Sequence, residues 1–129
     1  PEALRDAARS TNPEIRVAAI AALGDQIQSL QDIEAKKLLV SSLQDVDNEV
    51  RAEAATLLGK LQDPEDATPL LCSSLQDTCP QVRKNAALSL MKLEASNAIE
   101  ALKIAQIHEQ QTDVKAVFAV AINQISRDI

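Results

Sequence analysis

A basic residue behind a branched apolar one recurs at Ile15-Arg16, Val50-Arg51, Val82-Arg83 and Val114-Lys115, in steps of 35, 32 and 32 residues. The two middle copies share an identical lead-in, Ser41-Ser42-Leu43-Gln44-Asp45 and Ser73-Ser74-Leu75-Gln76-Asp77. A period in this range marks a repeat architecture. One such unit cannot bury its own apolar face and must stack on neighbours.

Aligned on the basic residue, the columns show a helical period. The position before it holds Ile15, Val50, Val82 and Val114, and the third after it Ala19, Ala54, Ala86 and Phe118. The fourth holds Ile20, Ala55, Ala87 and Ala119, and the seventh Leu23, Leu58, Leu90 and Ile122. These offsets describe one face of an α-helix, with alanine where helices approach closely. They predict the second helix of each pair at about 13–25, 48–61, 80–93 and 113–127. Pro13 and Pro80 fall in first turns, and Gly24 and Gly59 near helix ends.

First helices are expected at about 2–9, 32–44, 65–76 and 97–109. Ala35, Leu38, Leu39 and Leu43 are matched by Ala67, Leu70, Leu71 and Leu75, and Ala3, Leu4 and Ala8 fit the first copy. In the fourth, Ile99, Leu102 and Ile107 keep the pattern while Lys103 takes the place of a leucine. Asp63-Pro64-Glu65-Asp66 reads as a helix start, a capping carboxylate followed by a proline that presets φ.

The fold expected is all-α, a right-handed α-solenoid of four helical hairpins in one domain, 1–129, with repeats at about 1–29, 30–62, 63–95 and 96–129. The single aromatic residue, Phe118, argues against a β-sandwich or barrel. A formal net charge of −6, with no basic run, disfavours nucleic acid as a partner. No apolar stretch approaches the roughly 20 residues of a membrane span and no signal segment opens the sequence, so no membrane contact and a cytoplasmic location are expected. Cys72 and Cys79 lack zinc-site spacing and read as reduced thiols. The start at Pro1 suggests a fragment of a longer protein.

Asp45 precedes Arg51 by six residues and Asp77 precedes Arg83 by six, while Ser10 with Arg16 and Glu109 with Lys115 are weaker copies. An acid in the turn and a base in the following helix can form a structural ladder down the stack. The alternative use of Arg16, Arg51 and Arg83 is to bind an anionic ligand.

The phrases Asp45 through Gly59 (DVDNEVRAEAATLLG) and Gly59 through Arg83 (GKLQDPEDATPLLCSSLQDTCPQVR) resemble HEAT repeats, above all the short bacterial subtype named after phycobilisome lyases. The resemblance covers nearly all of the chain as four repeats. It implies a binding solenoid and a range of roles: subunits of lyases that attach bilins, phycobilisome-degradation factors, and regulatory regions of larger proteins. The departures are about three extra residues near Ile27 to Asp32, and Met91 and Asn123 where earlier copies have glycine.

His108-Glu109 resembles one of the His-Glu pairs that, recurring in several repeats, together hold iron in deoxyhypusine hydroxylase, also built of such repeats. The equivalents of His108 are Gln44 and Gln76, so a second ligand pair is missing and no metal is expected. Without Trp or Tyr, the chain also lacks what related base-excising repeat proteins stack on a damaged base. No nucleophile pairing or phosphate-binding glycine loop is recognisable, so the expectation is a non-enzyme with no catalytic, cofactor or metal residues.

What remains is a protein-interaction scaffold whose partner the sequence does not name; the alternative is a subunit or fragment of a bilin lyase or degradation factor. Second helices should line a concave face, presenting Glu53, Thr56, Lys60, Asn85, Leu88, Lys92, Val117, Val120 and Gln124. Ala18, Ala21 and Asp25 hold these columns in the first repeat. The last helix, Val114 to Ile125, reads as apolar on nearly every side, so a further repeat, a second copy or a partner is expected to cover it.

Overall fold

The computed structural model of the chain describes residues 2–27, 33–61 and 63–127. In these, helices α1 (Glu2–Ala8), α3 (Ile33–Ser42), α5 (Pro64–Ser74) and α7 (Ile99–His108) alternate with α2 (Pro13–Ile27), α4 (Asn48–Leu58), α6 (Pro80–Lys92) and α8 (Thr112–Arg127). A 3₁₀ turn, Ser96–Ala98, leads into α7, and no strand occurs among the described residues. Each helix falls within a few residues of the position set by the apolar columns. The extra residues near Ile27 to Asp32 fall largely in 28–32, outside the described residues.

Local chemistry starts the helices. Asp47, with φ −91° and ψ 130°, caps α4 by accepting from the backbone N–H of Glu49 (2.9 Å) and Val50 (3.2 Å). Asp63 caps α5 ahead of Pro64, accepting from Asp66 N–H at 3.5 Å. Cys79 holds the same place before α6 in the same backbone conformation, φ −93° and ψ 124°, but makes no side-chain cap bond. Cys79→Asp is therefore expected to add about 1 kcal/mol of stability. Thermal unfolding followed by circular dichroism should show a midpoint raised by about 3 °C; an unchanged midpoint would mean that the amides at Gln81 and Val82 gain nothing from a cap.

The second helices pack on one another in succession, α2 on α4, α4 on α6 and α6 on α8, while the first helices touch little across repeats. Closer spacing on one side bends a stack toward that side, so the second helices line the inner face of the curved solenoid. Val50, Val82 and Val114 are fully buried, as are Leu58, Leu90 and Phe118. Burying each such side chain contributes about 1.5–3 kcal/mol. Ile15, in the same column, is instead 44% exposed, having no earlier repeat beside it among the described residues.

The two glycines serve close approach rather than a turn. Neither has positive φ. A β-carbon on Gly24 would lie 2.5 Å from Leu57 Cδ2, and one on Gly59 would lie 2.5 Å from Ser89 Oγ and 2.9 Å from Ser89 Cα. Where α6 crosses α4, Ser89 Oγ donates to Ala55 O at 2.6 Å and Asn85 Nδ2 to Ala52 O at 3.0 Å, so the helices are stitched as well as packed.

The fourth hairpin corrects the sequence reading in two places. Buried Ala67 and Leu71 of α5 are answered by buried Ala98 and Leu102, a step of 31 rather than 32 residues. Where the third repeat has Asp63-Pro64, the fourth has Ala95-Ser96, without a capping carboxylate; a 3₁₀ turn replaces the first helical turn. The one-residue slip puts Lys103 and Ile107 outside, and Ile107 is 76% exposed instead of in the core.

Helix α8 is amphipathic rather than apolar all round. Val114, Phe118, Ala121 and Ile125 form its buried stripe, and Val117, Ala119 and Ile122 are half-buried. Lys115, Asn123, Gln124, Ser126 and Arg127 are exposed together with Ala116 and Val120.

Candidate functional site

A ladder of ion pairs runs between repeats at the start of the second helices. Arg16 Nε and Nη2 each donate to the Asp45 carboxylate at 2.8 Å. Arg51 does so to Asp77 at 2.8 and 3.0 Å, and Arg83 to Glu109 at 2.7 and 2.8 Å. Each guanidinium also donates through Nη1 to a carbonyl six residues back, at Ser10 (3.0 Å), Asp45 (2.8 Å) and Asp77 (2.8 Å). Each acid in turn accepts from the backbone two residues on, at Asp47, Cys79 and Gln111.

The six-residue spacing in the sequence therefore reports a bond to a main-chain carbonyl. Charge pairing runs instead from each arginine to the acid of the following repeat. Asp45 and Arg51 belong to successive rungs, as do Asp77 and Arg83, and Glu109 pairs with Arg83 rather than Lys115. The arginine forks face carboxylates instead of presenting a free edge to an anionic ligand.

The carboxylates show the effect of these partners. Burial would raise the Asp45 carboxyl, but Arg16 and the Asp47 N–H hold it below the usual range. The Arg83 guanidinium holds Glu109 low against the opposing effect of burial. Among the described residues two lysines also bridge repeats, which escaped the sequence reading: Lys36 Nζ to Asp63 (2.8 Å) and Asp66 (3.0 Å), and Lys84 Nζ to Asp113 (2.8 Å). Both run from one repeat to the first turn of the corresponding helix in the next. The signal available was a lysine about one period before an acidic helix start.

On the inner face, Lys60, Leu88, Lys92, Val120 and Gln124 are exposed, and Glu53, Thr56, Asn85 and Val117 are half-buried. Asn85 is committed to fastening α6 onto α4, since its amide nitrogen bonds Ala52 O and its Oδ1 accepts from Gln81 Nε2 at 2.7 Å. This surface carries Lys60 and Lys92 beside Glu53, with Leu88 37% and Val120 56% exposed among them.

The outer side holds a feature that sequence periodicity missed: a groove of about 640 Å³ between α5 and α7. Cys72, Leu75, Ala101, Ile104 and Ala105 line it, with exposed Gln76, His108 and Gln110 also contributing. It sits where first helices diverge and where the register slip sets small Ala101 and Ala105 opposite α5. Burial pushes the Cys72 thiol up, away from the thiolate form that a nucleophile needs. His108 is exposed while Glu109 is tied to Arg83.

The chain superposes on the crystal structure of an engineered protein with a TM-score of 0.67 at 22% identity, over 96% of this chain and 61% of that one. That likeness concerns the fold alone. In sequence it is 45% identical over 127 residues to the bilin biosynthesis protein MpeU of Synechococcus sp. strain WH8020. The match covers 98% of this chain but only 43% of MpeU, so the chain spans less than half the length of that relative.

This relationship overturns the expectation of a non-enzyme. That expectation came from the lack of a paired nucleophile, a metal cluster or a phosphate loop, yet a protein can also promote a reaction by holding two reactants in position, which needs none of these. No helix among the described residues is long and apolar enough to cross a membrane. The HEAT repeat family matches residues 1–71 and 37–123, which together take in nearly the whole chain. With its paired helices, buried alanine and leucine columns and inter-repeat ladder, the chain belongs to the HEAT repeat family.

Proposed function

We propose that the chain is the repeat portion of a bilin lyase, and that its inner face holds the phycobiliprotein subunit to which the bilin is attached. The observation that carries this reading is the 45% identity, over 98% of the chain, to a bilin biosynthesis protein. The chain's own contribution is positioning: a rigid curved surface that fixes one reactant relative to the other.

The inner face supports the reading in its chemistry. Leu88 and Val120 offer an apolar centre, and Lys60, Lys92 and Gln124 a polar surround. That is the composition of a transient protein interface, an apolar core inside a polar rim.

Titration of purified phycobiliprotein subunits against the chain by calorimetry tests this. Binding is expected, and Leu88→Glu should weaken it at least about tenfold, the effect of losing roughly 1.4 kcal/mol from the centre of an interface. The melting temperature should stay close to that of the wild type, because Leu88 is solvent-facing. No binding to any phycobiliprotein subunit would overturn the proposal. Binding unaffected by Leu88→Glu would move the contact off the inner face.

A further inference from the structure

The groove between α5 and α7 is bordered by two residues of α7 that depart from the repeat. On the 31-residue step that sets Ala98 and Leu102 against Ala67 and Leu71, Ala101 stands where α5 has Leu70 and α3 has Leu38. Ile104 stands where they have Ser73 and Ser41. Burial follows this alignment, since Leu38, Leu70 and Ala101 are all half-buried and Ser41, Ser73 and Ile104 all exposed. Alanine in place of leucine lowers the floor of the groove, and isoleucine in place of serine raises an apolar wall beside it, 54% exposed. A leucine at 101 would recover packing energy that the gap forgoes. Both departures make the groove more receptive to an apolar ligand.

Its volume, about 640 Å³, lies within the roughly 300–1,000 Å³ of small-molecule sites. Leu75, Ala101, Ile104 and Ala105 give it apolar walls, and the two alanines leave room for a flat ring system to lie against α7. The charged groups at its far end are spent on the ladder, Arg83 on Glu109 and Asp77 on Arg51, so they offer no unpaired charge to a small ion. Exposed Gln76, His108 and Gln110 supply hydrogen-bonding groups at the mouth. This combination suits a ligand with an extended, planar, apolar body and polar groups along one edge. Linear tetrapyrroles have that form, with conjugated rings, pyrrole N–H donors along an edge and carboxylates that stay in water. Burial holds Cys72 as the thiol, so a bilin in the groove is not captured covalently and remains free to leave.

We propose that the groove between α5 and α7 is where this chain holds a bilin, its ring plane against Ala101 and Ala105 and its polar edge toward Gln76, His108 and Gln110. The inference rests on the bilin reading of the chain and adds a second site to it: the inner face takes the protein acceptor and the outer groove takes the pigment.

The probe is biliverdin, a linear tetrapyrrole, titrated against the chain and followed by visible absorbance. A saturable change of its bands is expected. Maleimide labelling of Cys72 should slow as the groove fills, while Cys79, which does not line it, labels at an unchanged rate. Ala101→Leu, which restores the residue of the earlier repeats, should weaken binding at least about tenfold, with a melting midpoint at or above that of the wild type. Ile104→Ser should weaken it by a smaller factor with the midpoint unchanged, and Leu88→Glu, on the inner face, should leave it as it was. No saturable change, equal protection of both cysteines, or binding indifferent to Ala101→Leu would overturn the proposal. Equally tight binding of a fatty acid would overturn the tetrapyrrole as occupant. Calorimetric binding of a phycobiliprotein subunit without binding of biliverdin would sink the groove and leave the inner-face reading standing, so the two fail separately.

Discussion

Arg83→Ala is expected to destabilise the protein by about 3–5 kcal/mol, the usual effect of removing one partner from a buried ion pair. The Glu109 side chain is 2% exposed, and without the guanidinium its charge is left with backbone donors alone. The same change removes the bond to Asp77 O, one of the links across the inter-helix turn of the third repeat. Domains of this size have about 5–15 kcal/mol in all, so the loss is a large fraction of the total. Urea unfolding measures it. Lys115→Ala, at the position with no ion pair among the described residues, should fall within about 0.5 kcal/mol of wild type, and similar losses for both would contradict the ladder.

The ladder also gives the stability a direction with pH. Asp45, Asp63, Glu109 and Asp113 have folded values below the ordinary carboxylate range, because of Arg16, Lys36, Arg83 and Lys84 respectively. Their contribution is therefore fully present above the unfolded values near about 4 and is lost as pH falls through the lowered folded ones. Arg83→Ala should melt with a shallower dependence on pH in the acid range, since Glu109 then no longer binds fewer protons folded than unfolded.

Gly59→Ala is the second large effect, expected to cost about 2–3 kcal/mol through overpacking and disturbance of the Ser89 bond. The new β-carbon would lie 2.9 Å from a backbone atom, Ser89 Cα, so α4 and α6 must move apart. The helix propensity gained, at most about 1 kcal/mol, does not offset this. Gly24→Ala makes an informative contrast. Its obstacle is the methyl end of Leu57, which can rotate, so the change should be nearly neutral once about 1 kcal/mol of propensity is recovered. Equal losses for the two substitutions, measured by urea unfolding, would contradict this account of the glycines.

The helices were legible in the sequence because the 32-residue copies repeat every burial column, and Val50, Val82 and Val114 stand at identical depth. Partners were less legible. A six-residue interval between Asp45 and Arg51 looks like a pair, yet a helix start turns the guanidinium toward the main chain and the following repeat. Lys103 in a leucine column hinted at the slip in the fourth hairpin, but a 3₁₀ turn and the loss of one residue of register are set by tertiary packing around Ala98 and Leu102. The outward face of α8 was over-read, since a run of valines and alanines does not distinguish Phe118 inside from Val120 outside.

Function was the least legible, because the proposed positioning of one reactant against another would use the same exposed leucines and lysines that any solvated helix carries. Similarity to a bilin biosynthesis protein, rather than any motif, overturned the non-enzymatic expectation.

The most direct measurement is the visible absorbance of a phycobiliprotein subunit after co-expression with a bilin source and this protein. Denaturation before the reading ensures that only covalently held bilin is counted. The account predicts bilin absorbance on the acceptor subunit, lost with Leu88→Glu although the variant protein stays folded. Acceptor subunits that carry the same bilin with or without the repeats would contradict it.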